Sequence, residues 1–287
     1  MSFNTVVIGG AGTMGSGIAQ AVAAAGFDVV LYELNSQVLE KAKKNIEENL
    51  QRLVAKNKLT TGEKDKIFYR IRFVNKVDEC IGDVIIEAII ENVEAKIDLF
   101  NQLARVNDEK SIFATNTSSL SVSAIADKTL APARIIGMHF FNPAPVMKLI
   151  EIVKTERSTD EVISKIIAFA RQLGKIPVVC KDSPGFIVNR VARPFYIESL
   201  RLAEEGMVNF EKVDRLLEAS GFKMGPFRLM DLIGNDINYS VSTTVYEQLN
   251  RPERLLPSFI QKEKVEHGEL GKKSGKGYYE YNQQKAN

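Results

Sequence analysis

His139 and Glu151 are the side chains whose types and surroundings point most directly to proton chemistry. His139 closes the apolar run Ile135-Ile136-Gly137-Met138-His139, and Glu151 interrupts Leu149-Ile150-Glu151-Ile152-Val153. Both runs read as strands, and period-two alternation puts Glu151 on one face with Leu149 and Val153. A carboxylate on an apolar face needs a partner. With the histidine at the end of one strand and the acid on the next, the two can meet across a loop holding Phe140, Phe141, Asn142, Pro143 and Pro145. A carboxylate on Nδ1–H would fix the tautomer and stabilise the imidazolium, leaving Nε2 as a base near neutral pH. The same residues are equally compatible with a buried structural pair. The other histidine, His267, falls in Lys264-Val265-Glu266-His267-Gly268 and reads as an exposed helix end.

Phosphate recognition is the second chemistry. In Val6-Val7-Ile8-Gly9-Gly10-Ala11-Gly12-Thr13-Met14-Gly15-Ser16-Gly17, three glycines stand at GxGxxG spacing between a strand over Val6–Ile8 and a helix over Ile18–Ala25. The first allows a tight turn, the second lets a pyrophosphate touch the backbone, and the third lets the helix pack on the strand. The helix N-terminus attracts the phosphate charge. Gly10, Gly12, Thr13, Met14 and Gly15 are therefore the expected dinucleotide contacts. Glu33 closes the second strand near the ~20-residue spacing of an acid that accepts hydrogen bonds from ribose hydroxyls and repels a 2′-phosphate. NAD is expected, with NADP left open because a neighbouring basic group could still accommodate its phosphate. No HRD or DFG follows, which argues against a kinase glycine loop.

Two further stretches carry polar groups near strand or helix ends. Ala114-Thr115-Asn116-Thr117-Ser118-Ser119 supplies short hydrogen-bonding side chains where cofactor and substrate would converge, or simply caps a helix beginning near Val122. Asn189, in Phe186-Ile187-Val188-Asn189-Arg190, is an amide in an apolar helical start, by default a solvated polar position.

The elements that must position these groups alternate. Strands read at about 4–9, 28–32, 70–74, 83–88, 111–115, 135–139, 148–153 and 177–180, separated by amphipathic segments, which is the pattern of βαβ units and a mainly parallel sheet. Ser36 to about Lys66 is a helical excursion, with Val38, Leu39, Ala42, Ile46, Leu50, Leu53 and Val54 at helical spacing. At Lys181-Asp182-Ser183-Pro184-Gly185 a capping residue followed by proline announces a helix start, and only helical patterns follow. The expected organisation is an α/β Rossmann-type domain over 1–183 that binds the nucleotide and an all-α domain over 184–287. The second carries more apolar residues than about a hundred residues can hide, so burial against the first domain or a second copy is expected.

Composition narrows the class. The 287 residues are 45% hydrophobic and 26% charged, enough for a sizeable core, and 38 basic against 36 acidic side chains give +2, no general footprint for nucleic acid or an anionic membrane. Cys80 and Cys180 lack CxxC spacing and read as reduced core thiols, which suits a cytoplasmic protein. No signal-peptide core opens the chain, no run approaches the ~18 apolar residues of a membrane span, and no metal-ligating set is read.

Taken together these residues resemble the L-3-hydroxyacyl-CoA dehydrogenase family, most closely its short bacterial 3-hydroxybutyryl-CoA members. The similarity covers GAGTMGSGIAQ at 10–20, EAIIENVEAK at 87–96, ATNTSSL at 114–120, GMHFFNPAPVMKLIEIV at 137–153, KDSPGFIVNR at 181–190, GPFRLMDLIG at 225–234 and GKKSGKGYYEY at 271–281. The resemblance implies that His139 and Glu151 are the catalytic pair, that Ser118 and Asn189 bind the reacting oxygen, and that Asn142 supports the site. It implies Glu33 on the ribose, Glu91, Lys96 and Asn116 on the nicotinamide side, and Asn49 and Lys56 on the CoA moiety. The implied reaction interconverts a short L-3-hydroxyacyl-CoA and its 3-ketoacyl-CoA between two domains, in a homodimer, and runs in reverse when fermentation needs reduction. Lys41, Lys43, Lys44, Arg52, Lys56 and Lys58 could form a local patch for CoA phosphates, or merely a solvated helix face. A Tyr-x-x-x-Lys pair of the short-chain dehydrogenase kind occurs at Tyr281 and Lys285, in the terminal tail, where it reads as chance. A protein that kept the fold and lost turnover is the non-enzymatic alternative, against which the intact Ser118, His139, Glu151 and Asn189 argue.

Overall fold

The computed structural model describes residues 3–281, and the chain divides into two compact units, Met1–Ser183 and Pro184–Asn287. Lys285, of the Tyr-x-x-x-Lys pair, lies outside the described residues.

The first unit runs β1 (Thr5–Gly9), α1 (Thr13–Ala24), β2 (Asp28–Tyr32), α2 (Ser36–Ala55), α3 (Thr61–Tyr69), β3 (Ile71–Val74), β4 (Val84–Glu87), α4 (Val93–Val106) and β5 (Ile112–Thr115). It continues through α5 (Val122–Ala126), β6 (Ile135–Phe140), β7 (Leu149–Lys154), α6 (Asp160–Gln172) and β8 (Ile176–Lys181). The strands form one sheet in the order β3-β2-β1-β4-β5-β6-β7-β8. Every pairing is parallel except β6 with β7, so the expected mainly parallel α/β sheet is borne out. Strands covered on both faces lose the polar alternation of a half-exposed sheet. Val6, Val7 and Ile8 of β1, Val84 to Ile86 of β4, and Ile135, Ile136 and Met138 of β6 are accordingly all buried. The order reverses between β1 and β4, and open α/β sheets receive ligands outside the carboxyl ends of the strands at such a reversal.

The helical excursion is two helices, extending to Tyr69. Asn57, at φ 55°, ends the path of α2, and Thr60 starts α3 with a capping box in which its hydroxyl accepts from the Glu63 N–H while the Glu63 carboxylate accepts from the Thr60 N–H. That Thr-Thr-Gly-Glu signal stands inside what hydrophobic spacing alone reads as one helix.

The second unit holds α7 (Val188–Glu204), α8 (Phe210–Ala219), α9 (Pro226–Ile233), α10 (Asn235–Gln248) and α11 (Phe259–Glu266). The helix start expected at Pro184 falls instead at Val188, because Gly185 (φ 73°) and Phe186 (φ 48°) take left-handed backbone and form a turn first. A Cβ on Gly185 would stand 2.9 Å from Val245 Cγ2, so the turn also depends on a bare α-carbon. Tyr196, Leu200, Val213, Phe227, Met230 and Tyr278 make the core of this unit. It is not purely helical: Lys276 bridges to Gly271 and to Glu280 in extended pairing. The buried Asp231 carboxylate binds this segment, accepting from the Tyr278 and Tyr279 N–H groups and the Tyr281 hydroxyl, each at 3.0 Å.

Candidate active site

His139 and Glu151 are direct partners in the antiparallel β6–β7 ladder. Facing residues of such a ladder project from the same face. His139 Nδ1 lies 2.7 Å from Glu151 Oε2, with His139 6% and Glu151 1% exposed. With Glu151 ionised the Nδ1–H donates, which in the neutral ring puts the basic lone pair on Nε2. The ring of Phe141 packs 4.5 Å from the imidazole centre, shielding the pair.

The ends of β4 and β5 are tied together beside it by a buried ionic network. Lys96, at 1% exposure, sits 2.6 Å from Glu87 Oε1 and 3.2 Å from Glu91 Oε2. Glu87 accepts from Thr115 Oγ1 at 2.7 Å and from the Ile89 N–H at 2.8 Å. Burial pushes the Glu87 carboxyl up, against the pull of the Lys96 ammonium. Burial also raises Glu91, but Lys96, the Thr117 hydroxyl and the Ser118 N–H together outweigh it and hold that carboxyl below its ordinary range. One oxygen of Glu91 accepts from Thr117 Oγ1 at 2.5 Å, from the Ser118 N–H at 3.1 Å and from Ser119 Oγ at 3.1 Å. The serine loop is thereby held by an acid, and Asn116 locks it to the histidine strand by accepting from the Phe140 N–H at 2.8 Å.

The glycine loop has the form a pyrophosphate needs. Gly10 has φ 103°, and a Cβ there would stand 2.7 Å from the Ala88 carbonyl oxygen. A Cβ on Gly15 would fall 1.8 Å from the Gly10 carbonyl oxygen, whereas one on Gly12 would meet no protein atom within 4 Å. Two glycines are thus required by the protein itself, and the third faces open space at the uncapped N-terminus of α1. Glu33, at the end of β2, accepts from the Ala11 N–H at 3.1 Å, so the acid and the loop are already coupled.

Residues 5–183 match the NAD binding domain of 3-hydroxyacyl-CoA dehydrogenase, and residues 185–281 match its C-terminal domain. The chain belongs to the 3-hydroxyacyl-CoA dehydrogenase family. It is 42% identical to 3-hydroxyadipyl-CoA dehydrogenase of Escherichia coli over 98% of its own length, and spans 60% of the length of that relative. It is 40% identical to the human mitochondrial hydroxyacyl-coenzyme A dehydrogenase, covering 97% of this chain and 91% of the human one. The solved (S)-3-hydroxybutyryl-CoA dehydrogenase of Ralstonia eutropha is 37% identical and superposes with a TM-score of 0.93, over 98% of this chain and all (100%) of that one. NAD is the cofactor of this dehydrogenase fold, and the glycine cradle fits it.

Within this family member the remaining expected residues separate. Lys96 does not offer its ammonium to the surface of the site; the charge is spent on Glu87 and Glu91, and its effect reaches the serine loop through Glu91. Asn142 is exposed and precedes Pro143 across a cis peptide bond in the loop between His139 and Glu151. Asn49, on α2, and Lys56, the residue that follows its last turn, are both exposed, and on the same helix Arg52 and Lys44 share Glu48 at 3.4 and 4.0 Å. Asn189 lies in the first turn of α7 in the second unit, half-buried rather than solvated. Cys80 is a buried thiol and Cys180 a half-buried one, both free. Among the described residues no helix is long and apolar enough to cross a membrane.

Sequence reading gave no separate role to Glu87, took Thr117 only as one of several short polar side chains of its loop, and read Asp182 only as part of a helix start. Glu87 carries the same signal that singled out Glu151, an acid closing the apolar strand Val84-Ile85-Ile86-Glu87. Asp182 accepts from the Ser121 hydroxyl and the Ser123 N–H, both at 2.8 Å, and so holds the start of α5 behind the serine loop.

Proposed function

We propose that this protein interconverts a short (S)-3-hydroxyacyl-CoA, with 3-hydroxybutyryl-CoA as the reference substrate, and the corresponding 3-ketoacyl-CoA. The observation that carries the reading is the His139–Glu151 contact at the ligand end of the sheet. In the oxidative direction His139 Nε2 takes the proton of the C3 hydroxyl, and Glu151 stabilises the imidazolium so formed. NAD, when bound, supplies the acceptor for the C3 hydride. Gly10, Gly12, Thr13, Met14 and Gly15 hold its phosphates and Glu33 its ribose, while Glu91, Asn116 and Asn142 bound the nicotinamide side. Ser118 and Asn189 bind the substrate oxygen and fix the attack geometry. Asn49 and Lys56, with the basic face of α2, meet the CoA phosphates.

The test is the initial rate of acetoacetyl-CoA reduction with NADH and with NADPH, for the native protein beside His139→Ala. A high native rate with NADH that the substitution removes while NADH still binds is the expected result. An inert native protein with both cofactors rejects the reading for this substrate. The assignment of Asn189 is tested by Asn189→Ala, expected to raise KM for acetoacetyl-CoA and lower kcat.

The helical unit exposes Val191, Leu216, Ile237 and Phe259, each at least half open to solvent. Such a surface supports homodimerisation through this unit, and a monomeric mass by sedimentation would reject it. A cytoplasmic location and a role in butyrate-type fermentation follow from the same reading.

A further inference from the structure

Among the described residues, Arg193 is a buried cation that forms no ion pair with an acid. It lies on α7 one turn beyond Asn189 and is 3% exposed. Its Nε–H donates to the Asn189 carbonyl at 2.9 Å, and Nη1 donates to the Asn238 carbonyl at 3.1 Å and to Ser242 Oγ at 2.7 Å. Its guanidinium stands 5.0 Å from the centre of the Tyr196 ring. All of these partners are neutral, and the Nη2 group takes part in none of the bonds. The acids of the same unit are engaged elsewhere: Asp214 and Asp231 accept from backbone N–H groups, and Glu218 pairs with Arg228.

A buried charge without a counter-ion is costly, and an apolar residue of similar volume would pack at less expense. Burial lowers the arginine to about 10, the adjoining Tyr196 opposing. Around the guanidinium, Asn238, Ser242 and Gln261 are themselves buried, and Gln261 Nε2 donates to Asn238 Oδ1 at 3.2 Å, so the α7–α10 seam is polar where a helical core is ordinarily apolar. Residues four apart share one face of a helix and are separated by ~6 Å along it.

We propose that Arg193 receives a carboxylate at the far end of the acyl chain, so that the preferred substrates are 3-hydroxyacyl-CoAs of dicarboxylic acids. The inference rests on the reading in which Asn189 holds the reacting oxygen at C3. An acyl chain continuing three bonds of ~1.5 Å beyond C3 carries a terminal carboxylate about as far as the next helical turn. There the Nη2–H₂ group, engaged in none of those bonds, donates to it as a charge-assisted hydrogen bond, and the missing counter-ion arrives with the substrate. A chain ending in a methyl group leaves the cation unpaired.

The test is calorimetric titration of adipyl-CoA and hexanoyl-CoA, equal in chain length, into the native protein, Arg193→Met and Arg193→Lys. Adipyl-CoA is expected to bind the native protein about tenfold or more tighter than hexanoyl-CoA, the scale of one charged hydrogen bond. That ratio is expected to fall to about one in Arg193→Met and to survive in part in Arg193→Lys. A native ratio of one or less, or no adipyl-CoA binding, overturns the proposal whether or not the variants fold. A ratio that Arg193→Met leaves unchanged overturns it as well. Since these ligands need no turnover, failure of acetoacetyl-CoA reduction would reject the dehydrogenase reading separately from the carboxylate preference.

Discussion

Lys96 holds its ammonium 2.6 Å from the Glu87 carboxylate with both side chains cut off from water. Removing one member of such a pair strands the other as a buried charge. Lys96→Met is expected to cost ~3–5 kcal/mol of stability. The double variant with Glu87→Gln recovers part of the loss, because the fully buried Glu87 charge is then gone and only the partly exposed Glu91 carboxylate lacks its ammonium. Urea denaturation of the two variants beside the native protein measures this, and a loss below ~1 kcal/mol for Lys96→Met would show that the pair is solvated.

Glu151→Gln keeps the shape of the β6–β7 pair and removes the charge that orients His139. The amide can present a donor to Nδ1 and so favour the tautomer in which Nε2 carries the proton and cannot act as a base. The expected outcome is a fall in kcat of ~10²–10⁴-fold with NADH binding retained. Initial rates and an NADH fluorescence titration separate the two effects; a kcat within about threefold of native would reduce the pair to a structural contact.

Gly12 and Gly15 belong to one motif and answer differently to a methyl group. In Gly12→Ala the new Cβ meets no protein atom, so stability is expected within ~0.5 kcal/mol of native. NADH affinity is expected to fall about tenfold or more, because the methyl group occupies the space of the pyrophosphate. In Gly15→Ala the Cβ lands 1.8 Å from the Gly10 carbonyl oxygen, which costs ~1–3 kcal/mol or more whether or not cofactor is present. Thermal melts paired with NADH titrations distinguish the cases, and equal melting losses would refute the division of roles.

The strands were legible in the sequence because a doubly covered parallel sheet writes itself as uninterrupted apolar runs, and Val84 to Ile86 or Ile135 to Met138 admit little else. His139 and Glu151 were legible because a polar residue on such a run needs a partner, and the next strand supplied one. Glu87 obeys the same rule but finds its partner on α4, at Lys96, across a loop that no strand periodicity describes. The break between α2 and α3 hides for a related reason: apolar spacing continues through Leu50, Leu53 and Leu59, while the backbone reverses at Asn57. The turn at Gly185 and Phe186 reads as a helix start from its capping residue and proline, since left-handed backbone at a phenylalanine leaves no compositional trace. Arg193 was passed over because a lone arginine in a helix looks solvated until its neighbours in space, Asn238 and Ser242, are known.

Near the C-terminus Glu269 is held by two ammonium groups, donated by Lys264 and, at 2.6 Å, by Lys276. Those hydrogen bonds, Lys264 first, lower its carboxyl from 4.5 to about 2. A carboxyl depressed on folding contributes its stability in full above the unfolded value and loses it as the pH falls through the folded one. The native melting temperature is therefore expected to drop on acidification from pH 4.5 towards 2, and Glu269→Gln to show a shallower slope over that window while being less stable than native at pH 7. Melting curves at half-unit pH steps provide the comparison. Parallel slopes for the two proteins would mean that the lysines give Glu269 no more than water does.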